Sequence, residues 1–375
     1  MAGNIKILMT TDTLGGVWTY STELCKALEE YPVDIHLLGF GGMASDDQLE
    51  ELNKLKNITF YDTPLNLEWM QHPDIDGIES KIVELCKEIH PDLLHFNNYV
   101  KPGRFWNFPV INVFHSCVLT WWKAVKSENA PEDWNNYFEL VENALNASAQ
   151  VIFPSQAMLE EACETYRISK DGKIIPNARE LNFPENIDKE KIILCAGRVW
   201  DEAKNLKILC SVAEQLTWPV YVAGENRHPE TAEESSLKNV NFLGKLNSEE
   251  MKYWFSKAEI YVNPAFYEPF GLSVLEAAQS GCALVLSRIN SLQEIWKDAA
   301  LYFNPRNEKE LKQQIFKLIN EKNKRKLFRQ KAKNRSTHFS RQNFGRQYFE
   351  VYQNLIERMA VFRMKKPEIF VEIKS

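Results

Sequence analysis

The sequence predicts two successive α/β domains with open parallel sheets and a cleft between them. Short apolar runs alternate with longer amphipathic stretches, a pattern typical of parallel strands connected by helices. The alternation stops at residues 181–190 (LNFPENIDKE), a polar segment with a central proline, and then begins again. The length of 375 residues also fits two domains, at roughly 100–200 residues each. We therefore expect a first domain at 1–180, a linker at 181–190 and a second domain at 191–340.

The first predicted domain opens with a strand at 5–10, a glycine-containing loop and a helix that ends near residue 30. Tyr20, Leu24 and Leu28 recur at helical spacing along this helix. The remaining elements expected in this domain are strands near 33–40, 92–96, 109–115 and 151–153, a helix near 76–89 and a helix after Ser155, which is expected to be its N-cap.

The second predicted domain repeats the same alternation. Its expected strands lie near 191–196, 219–223, 240–243, 259–263 and 282–286, and its expected helices near 204–216, 248–257, 271–280 and 291–297. From about residue 308 the chain is basic and is predicted to be helical, ending in a helix near 341–358. Ligands of open α/β sheets bind outside the carboxyl ends of the strands, so the loops at those ends are the candidate sites.

Composition excludes several classes of protein. The 45 Lys and Arg against 51 Asp and Glu give a net charge of −6, which argues against a general nucleic-acid partner. The seven cysteines form no CxxC pair, so neither a disulfide framework nor a zinc site is expected. No apolar run approaches the ~18 residues that a membrane span needs. We expect a soluble cytoplasmic protein with at most peripheral membrane association.

The first candidate loop contains Gly15 and Gly16, between the first strand and the first helix. Paired glycines let the backbone approach a ligand, and the helix N-terminus favours a phosphate. A purely conformational role is the alternative. A nicotinamide-binding site is disfavoured, because the G-x-G-x-x-G spacing is missing and the second strand ends at 37–42 (LLGFGG) without an acidic residue.

The second candidate loop, residues 196–205 (AGRVWDEAKN), also follows a strand and enters a helix. Arg198 and Lys204 would converge at the carboxyl end of that strand, where two cations suit a diphosphate. The alternative is a pair of surface cations bridged to Asp201 and Glu202.

The third candidate segment, residues 263–278 (NPAFYEPFGLSVLEAA), enters a helix at Gly271 with free backbone amides. A glycosidase pair formed by Glu268 and Glu276 is disfavoured. Eight helical residues span about 12 Å, whereas such pairs need ~5–9.5 Å. Hydrogen bonds from these carboxylates to sugar hydroxyls fit better.

These segments together resemble the retaining glycosyltransferases of family 4, which have the GT-B fold. Glu268 and Glu276 within EPFGLSVLEAAQSGCALVLS resemble the family signature. Further matching segments, in the family's order between residue 5 and about 358, are Gly15-Gly16, 91–95 (PDLLH), 114–116 (FHS), Gly197-Arg198 with Lys204-Asn205, 240–244 (VNFLG) and 300–305 (ALYFNP). The chain departs from the family at 176–178, which reads Pro-Asn-Ala instead of Pro-Asn-Gly.

The resemblance implies a role for each candidate residue. Arg198 and Lys204 would bind the diphosphate of a nucleotide-sugar, Glu268 the hexose and Glu276 the ribose. The other implied donor contacts are Gly15 and Gly16 from the first domain, Gly244 and Lys245 near the base, and Phe270, Gly271, Leu272 and Ser273 around the phosphate and sugar. His115 would support the reaction by hydrogen bonding, with His95 as the weaker alternative, and Trp121 and Trp122 are the implied acceptor contacts.

The implied reaction transfers a hexose from a nucleotide-diphosphate sugar to an acceptor hydroxyl with retention of the anomeric configuration. The donor is expected to be UDP- or GDP-linked and the acceptor a carbohydrate or glycoconjugate of bacterial polysaccharide synthesis, with no metal and no other cofactor. Residues 341–375 would form a helix returning to the first domain, plus a tail. Two alternatives stay open, namely a nucleotide-sugar hydrolase or epimerase of the same fold and a non-catalytic binding module.

Overall fold

The computed structural model describes residues 4–101, 107–169, 171–184, 187–228, 231–234 and 236–365. They form two parallel sheets, of seven and six strands, with helices packed on both, which confirms the predicted fold class. Residues 185–186 of the expected linker and 366–375 of the expected tail lie outside the described residues. Among the helices that are described, none is long and apolar enough to cross a membrane.

The first sheet has the strand order β3-β2-β1-β4-β5-β6-β7, with every pair parallel. Its elements are β1 (Ile5–Asp12), α1 (Gly16–Leu28), β2 (Val33–Phe40), α2 (Asp46–Leu52), β3 (Ile58–Tyr61), α3 (Ile75–Ile89), β4 (Leu93–Phe96), β5 (Val110–Val113), α4 (Val118–Lys126), α5 (Asn135–Ala147), β6 (Gln150–Phe153), α6 (Gln156–Thr165) and β7 (Lys173–Ile174). Ser155 caps α6 as expected, since its side chain accepts a hydrogen bond from the Met158 amide.

The second sheet has the order β10-β9-β8-β11-β12-β13 and is also parallel. Its elements are β8 (Glu190–Ala196), α7 (Leu206–Ala213), β9 (Val220–Ala223), β10 (Asn241–Gly244), α8 (Ser248–Lys257), β11 (Ala258–Asn263), α9 (Leu272–Gln279), β12 (Ala283–Ser287), α10 (Asn290–Trp296), β13 (Ala300–Phe303), α11 (Glu308–Asn320), α12 (Lys322–Ser336) and α13 (Arg341–Lys365).

One predicted helix starts later than expected. The sequence predicted a helix from about 204, but Glu202–Lys204 form a single 3₁₀ turn and α7 begins at Leu206. The reason is Asn205, whose φ of 50° lies in the left-handed region and cannot continue the turn into an α-helix. The break lets the Asn205 side chain donate hydrogen bonds to the carbonyls of Pro264 and Pro305.

The last helix, α13, returns from the second sheet to the first. Phe344, Tyr348 and Tyr352 are buried in one apolar cluster with residues of β1 and α1. Gly345 permits this close approach, because a Cβ there would lie 2.4 Å from the carbonyl oxygen of Ala27. The predicted crossing helix is therefore present, and it extends to Lys365 instead of ending near 358.

Candidate active site

The glycine loop of the first domain faces the second domain directly. Gly15 precedes α1 with φ of 72°, and a Cβ built there would lie 3.6 Å from Nη1 of Arg198. A Cβ on Gly16 would lie 3.9 Å from Cδ1 of Leu272. The loop after β1 therefore meets the loops that follow β8 and β11, at the carboxyl ends of both sheets. The fold brings together these four predicted site residues.

Lys204 and Glu268 form an ion pair next to the residues of the second domain that meet the glycine loop. The Lys204 ammonium donates to Oε2 of Glu268 at 2.8 Å, and the two side chains are only 18% and 11% exposed. The lysine stem packs over Gly197, where a Cβ would lie 3.4 Å from it. An ammonium has three donors, so hydrogen bonds remain available for a phosphate oxygen. Lys204 is thus not the surface cation of the alternative hypothesis.

Arg198 is held by a buried carboxylate. Its Nη2 donates to Oδ2 of Asp201 at 2.6 Å, and Asp201 also accepts from the Trp121 indole at 3.1 Å and the Ala203 amide at 2.9 Å. Burial alone would raise the pKa of Asp201, but Arg198, Lys204 and these donors hold it below its ordinary value. Asp201 therefore fixes the Arg198 guanidinium while joining it to the first domain.

The two predicted acceptor contacts differ in how their indole groups are used. The Trp121 N–H is committed to Asp201, so only the ring of Trp121 is available to a ligand. The Trp122 Nε1 atom is buried and has no hydrogen-bond partner in the part of the chain that the structure describes. The two rings meet edge to face, with centroids 5.9 Å apart. Both lie on α4, which the sequence pattern did not reveal.

Glu276 takes part in an ion-pair chain between the domains. Arg179 donates to Oε1 of Glu276 at 3.0 Å and to Oε1 of Glu23 at 2.9 Å, and Arg341 donates to the other Glu23 oxygen at 3.0 Å. Burial raises the pKa of the Glu276 carboxyl, and Arg179 opposes that rise. Sequence reasoning missed Arg179 and Glu23, since no local motif contains them. In the part of the chain that the structure describes, Glu276 Oε2 accepts no hydrogen bond, so this oxygen can still accept one from a ribose.

The N-terminus of α9 presents the predicted backbone amides. Gly271 adopts φ of 86°, and no side chain caps the helix. The amides of the first turn therefore have no helical acceptor and can bind an anion. Ser273 is held in place, with its Oγ 2.8 Å from the Tyr261 hydroxyl. Phe270 is buried and packs edge to face on Phe339, so its ring supports the loop.

His115 lies two residues after the end of β5 and is a neutral imidazole. Burial lowers its pKa to about 3. Its Nε2 lies 2.8 Å from Oδ1 of Asn97, whose amide group already donates to the carbonyl of Thr10 at 2.7 Å. The amide oxygen must therefore accept, so Nε2 carries the hydrogen and Nδ1 is left as an acceptor. The alternative, His95, is fully buried 2.8 Å from the Tyr352 hydroxyl and supports α13.

The predicted base-binding residues lie apart from this cluster, at the edge of the second sheet. Gly244 ends β10 with φ of 72°, and Lys245 is 78% exposed, 4.0 Å from Glu225. Gly224, which sequence reasoning missed, lies between Gly244 and Gly197 and contacts both. Its amide donates to the Gly244 carbonyl at 2.8 Å, and a Cβ on it would lie 1.8 Å from the Gly197 carbonyl oxygen.

This arrangement suits an elongated anionic ligand. It offers two cations, a row of helix-terminal amides and two carboxylates at the carboxyl ends of one sheet, with a glycine loop opposite. Within the described ranges, no group of three His, Cys, Asp or Glu side chains is placed to hold a metal ion.

Sequence comparisons match two family models in succession. Residues 14–183 match Glycosyltransferase Family 4, and residues 177–335 match Glycosyl transferases group 1. An uncharacterized glycosyltransferase of Methanocaldococcus jannaschii is 30% identical over 40% of this chain and 45% of its own. O-antigen chain mannosyltransferase B of Escherichia coli is 29% identical, over 31% of this chain and 30% of its own. O-antigen chain mannosyltransferase RfbU of Salmonella typhimurium is 25% identical, over 46% and 52%. The matches thus span about half the length of these relatives or less.

Solved structures share the whole fold. Sucrose-phosphate synthase of Thermosynechococcus elongatus superposes with a TM-score of 0.77 at 15% identity, over 95% of this chain and 100% of its own. Anabaena HepE in complex with UDP and glucose superposes with a TM-score of 0.72 at 15% identity, over 94% and 100%. With its two parallel sheets, its returning helix and both family models matched in order, this chain belongs to the GT-B glycosyltransferases of the group 1/family 4 type.

Proposed function

We propose that the protein transfers a hexose from a nucleotide-diphosphate sugar to an acceptor hydroxyl, with retention of the anomeric configuration. The observation that supports this most strongly is the meeting of Gly15 and Gly16 with Arg198 and Leu272, beside the Lys204–Glu268 pair. Such a junction can hold a diphosphate between two domains while the sugar reaches Glu268.

Arg198 and Lys204 would supply most of the rate acceleration. As the bond between the sugar and the diphosphate breaks, negative charge grows on the leaving phosphate oxygen. Two cations and the α9 amides at fixed positions stabilise that charge without reorganising, which is often the largest catalytic contribution. Asp201 orients Arg198 for this role, and the buried setting of Lys204 strengthens its effect.

Glu268 and His115 would act on the transferred sugar. Glu268 keeps Oε1 available to accept from hexose hydroxyls while Oε2 holds Lys204. His115 is neutral, and its free Nδ1 can accept a hydrogen bond. The leaving phosphate oxygen can take the proton of the acceptor hydroxyl, so the reaction needs no separate base. Glu276 would bind the ribose through Oε2.

The relatives support a sugar donor and a polysaccharide product. Anabaena HepE was solved with UDP-glucose, and two relatives are O-antigen chain mannosyltransferases. We propose a UDP- or GDP-linked hexose as donor and a carbohydrate or glycoconjugate of bacterial polysaccharide synthesis as acceptor. A cytoplasmic location is proposed from the sequence, whose seven cysteines show no paired spacing.

Product analysis tests the transfer. Incubating the enzyme with the nucleotide-sugar that binds it and a sugar acceptor should yield a glycoside with the anomeric configuration of the donor, as read by the proton coupling constant at the anomeric carbon. An inverted product would contradict retention. Release of free sugar at a rate independent of acceptor would favour the hydrolase alternative.

The same reaction with excess EDTA tests the proposed metal independence. Because Arg198 and Lys204 lie where they can neutralise the leaving diphosphate, the rate is expected to stay within about twofold of the untreated rate. Loss of transfer that added Mg²⁺ or Mn²⁺ restores would show that a metal ion supplies part of this charge.

A further inference from the structure

Two buried carboxyls lie at the carboxyl edge of the first sheet and are not among the proposed donor contacts. Asp12 is the last residue of β1 and is 8% exposed, and Glu68 follows β3 and is 7% exposed. Within the described structure, neither Oδ1 of Asp12 nor Oε2 of Glu68 has a hydrogen-bond partner. Leaving a buried polar atom unpaired is unfavourable, so both atoms are candidates for ligand contacts.

These carboxyls lie next to the donor side of the cleft. Asp12 comes three residues before Gly15, and its carboxyl interacts electrostatically with both Glu68 and Arg198. Glu68 of its own domain and Arg198 of the other domain are therefore both near the Asp12 carboxyl.

A third unpaired side chain lies beside them. The backbone of Tyr99 lies close enough to the Glu68 carboxyl to lower its pKa, so the loop after β4 lies near Glu68. The preceding residue in that loop, Asn98, is 2% exposed, and neither its amide nitrogen nor its oxygen has a partner in the described part of the chain. An amide both donates and accepts, as a sugar hydroxyl does.

The protonation of the pair suits neutral hydroxyls. Burial raises the pKa of Glu68 to about 7, and burial together with the Glu68 charge raises the pKa of Asp12 well above its ordinary value. At neutral pH the pair therefore retains a proton for part of the time. A protonated carboxyl donates one hydrogen bond and accepts others, which again matches hydroxyl groups.

We propose that Asp12, Glu68 and Asn98 form an acceptor subsite that recognises the hydroxyls of an uncharged sugar residue and rejects a residue bearing phosphate or carboxylate. This proposal rests on the proposed transfer function and names the class of its acceptor. An anionic group entering here would meet two acids in a buried setting, and like charges placed together at an interface cost several kcal/mol.

A paired comparison of acceptors tests the proposal. Release of nucleoside diphosphate is measured with methyl α-mannoside and with mannose 6-phosphate as acceptor probes. For the wild-type enzyme we expect a kcat/KM at least about tenfold higher with the uncharged probe, which corresponds to a penalty of about 1.4 kcal/mol or more for the phosphorylated one. Preference for the phosphorylated probe would overturn the proposal, and this result needs no variant.

Two isosteric variants, Asp12→Asn and Glu68→Gln, assign the effect to the subsite. Each variant should raise KM for methyl α-mannoside about tenfold, since one hydrogen bond to a charged group contributes about 1.5–3 kcal/mol. Each should also reduce the ratio of kcat/KM for methyl α-mannoside to kcat/KM for mannose 6-phosphate. The matched control is Asp47→Asn, which removes the same charge from an exposed position of the same domain. An unchanged acceptor KM in both variants would refute the subsite.

Calorimetric titration with the donor distinguishes a failure of the acceptor subsite from a failure of the proposed transfer function. Glu68→Gln is expected to bind the nucleotide-sugar within about twofold of wild type, because Glu68 acts on the acceptor side. Loss of donor affinity in Glu68→Gln would move this residue to the donor site and refute the subsite. Absence of donor binding in the wild-type enzyme would instead refute the proposed function itself.

Discussion

Replacing Lys204 by alanine is expected to reduce kcat for sugar transfer by about 10²–10³-fold, the loss seen when one preorganised donor to a developing negative charge is removed. The reason is that the Lys204 ammonium lies in a largely buried site, 2.8 Å from the Glu268 carboxylate, with its stem packed over Gly197. Steady-state rates of nucleoside diphosphate release measure this loss. The matched control is Lys207→Ala, which removes an exposed lysine three residues away and should leave kcat unchanged.

The Lys204 variant also removes the ionic partner of Glu268, so stability has to be separated from catalysis. The double variant Lys204→Ala/Glu268→Gln should recover thermal stability lost in the single variant, because no unpaired buried carboxylate remains. It should not recover activity. If Lys204→Ala folds normally and transfers sugar at the wild-type rate, the role given to Lys204 is contradicted.

Replacing Tyr352 by alanine is expected to lower the free energy of unfolding by about 3–5 kcal/mol, the usual cost of truncating a buried aromatic side chain. Tyr352 is fully buried between α13 and the first sheet, and its hydroxyl lies 2.8 Å from His95. Because α13 follows the second sheet in sequence but packs on the first, the substitution should destabilise both domains. Denaturant unfolding followed by tryptophan fluorescence measures it.

The neighbouring residue Gln353 provides the control for this experiment. It is exposed on the same helix, so Gln353→Ala should change stability by no more than about 0.5 kcal/mol. A Tyr352→Ala variant as stable as this control would show that α13 does not hold the first domain. Deletion of residues 341–375 is expected to be more severe, since Phe344 and Tyr348 are lost as well.

Sequence periodicity predicted the strongly patterned elements well. The strand at 33–40 and the helix at 248–257 have the expected bounds, because buried runs and capped amphipathic helices leave clear local signals. The helix α4 was missed, since its run VLTWWKAVK combines β-branched and aromatic residues that favour strands as much as helices. The four-residue strand β3 is too short to show an alternation.

The candidate-site residues that lie in loops at the carboxyl ends of the strands were predictable from the sequence. Parallel strands place their carboxyl ends together, so the loops with Gly15, Arg198 and Gly271 had to be neighbours if the two sheets faced each other. The contacts of Glu276 were not predictable, because Arg179 reaches it from a segment about a hundred residues earlier. The partners of Asp201 depend equally on how the domains meet.

The different roles of the two histidines of the first domain could not be predicted from local sequence either. In the sequence, His95 and His115 both fall near the end of a predicted strand of the first domain and look alike. In the structure His95 lies between Tyr20 and Tyr352 within the core. The hydrogen bond that the described residues give to the His115 ring is the one between Nε2 and Asn97. Only the position of α13, set by packing far along the chain, distinguishes them.

The proposed function depends on binding of a nucleotide-sugar donor. The most direct test of this binding is a thermal-shift panel of UDP-, GDP-, ADP- and TDP-sugars, with NADH as control. A ligand present at 100 times its Kd should stabilise the folded protein by about 2.7 kcal/mol. We predict that one nucleotide-sugar class raises the melting temperature of the wild-type protein and fails to raise that of Lys204→Ala. A shift with NADH alone, or equal shifts in both proteins, would contradict the assignment of the junction between the two sheets as the donor site.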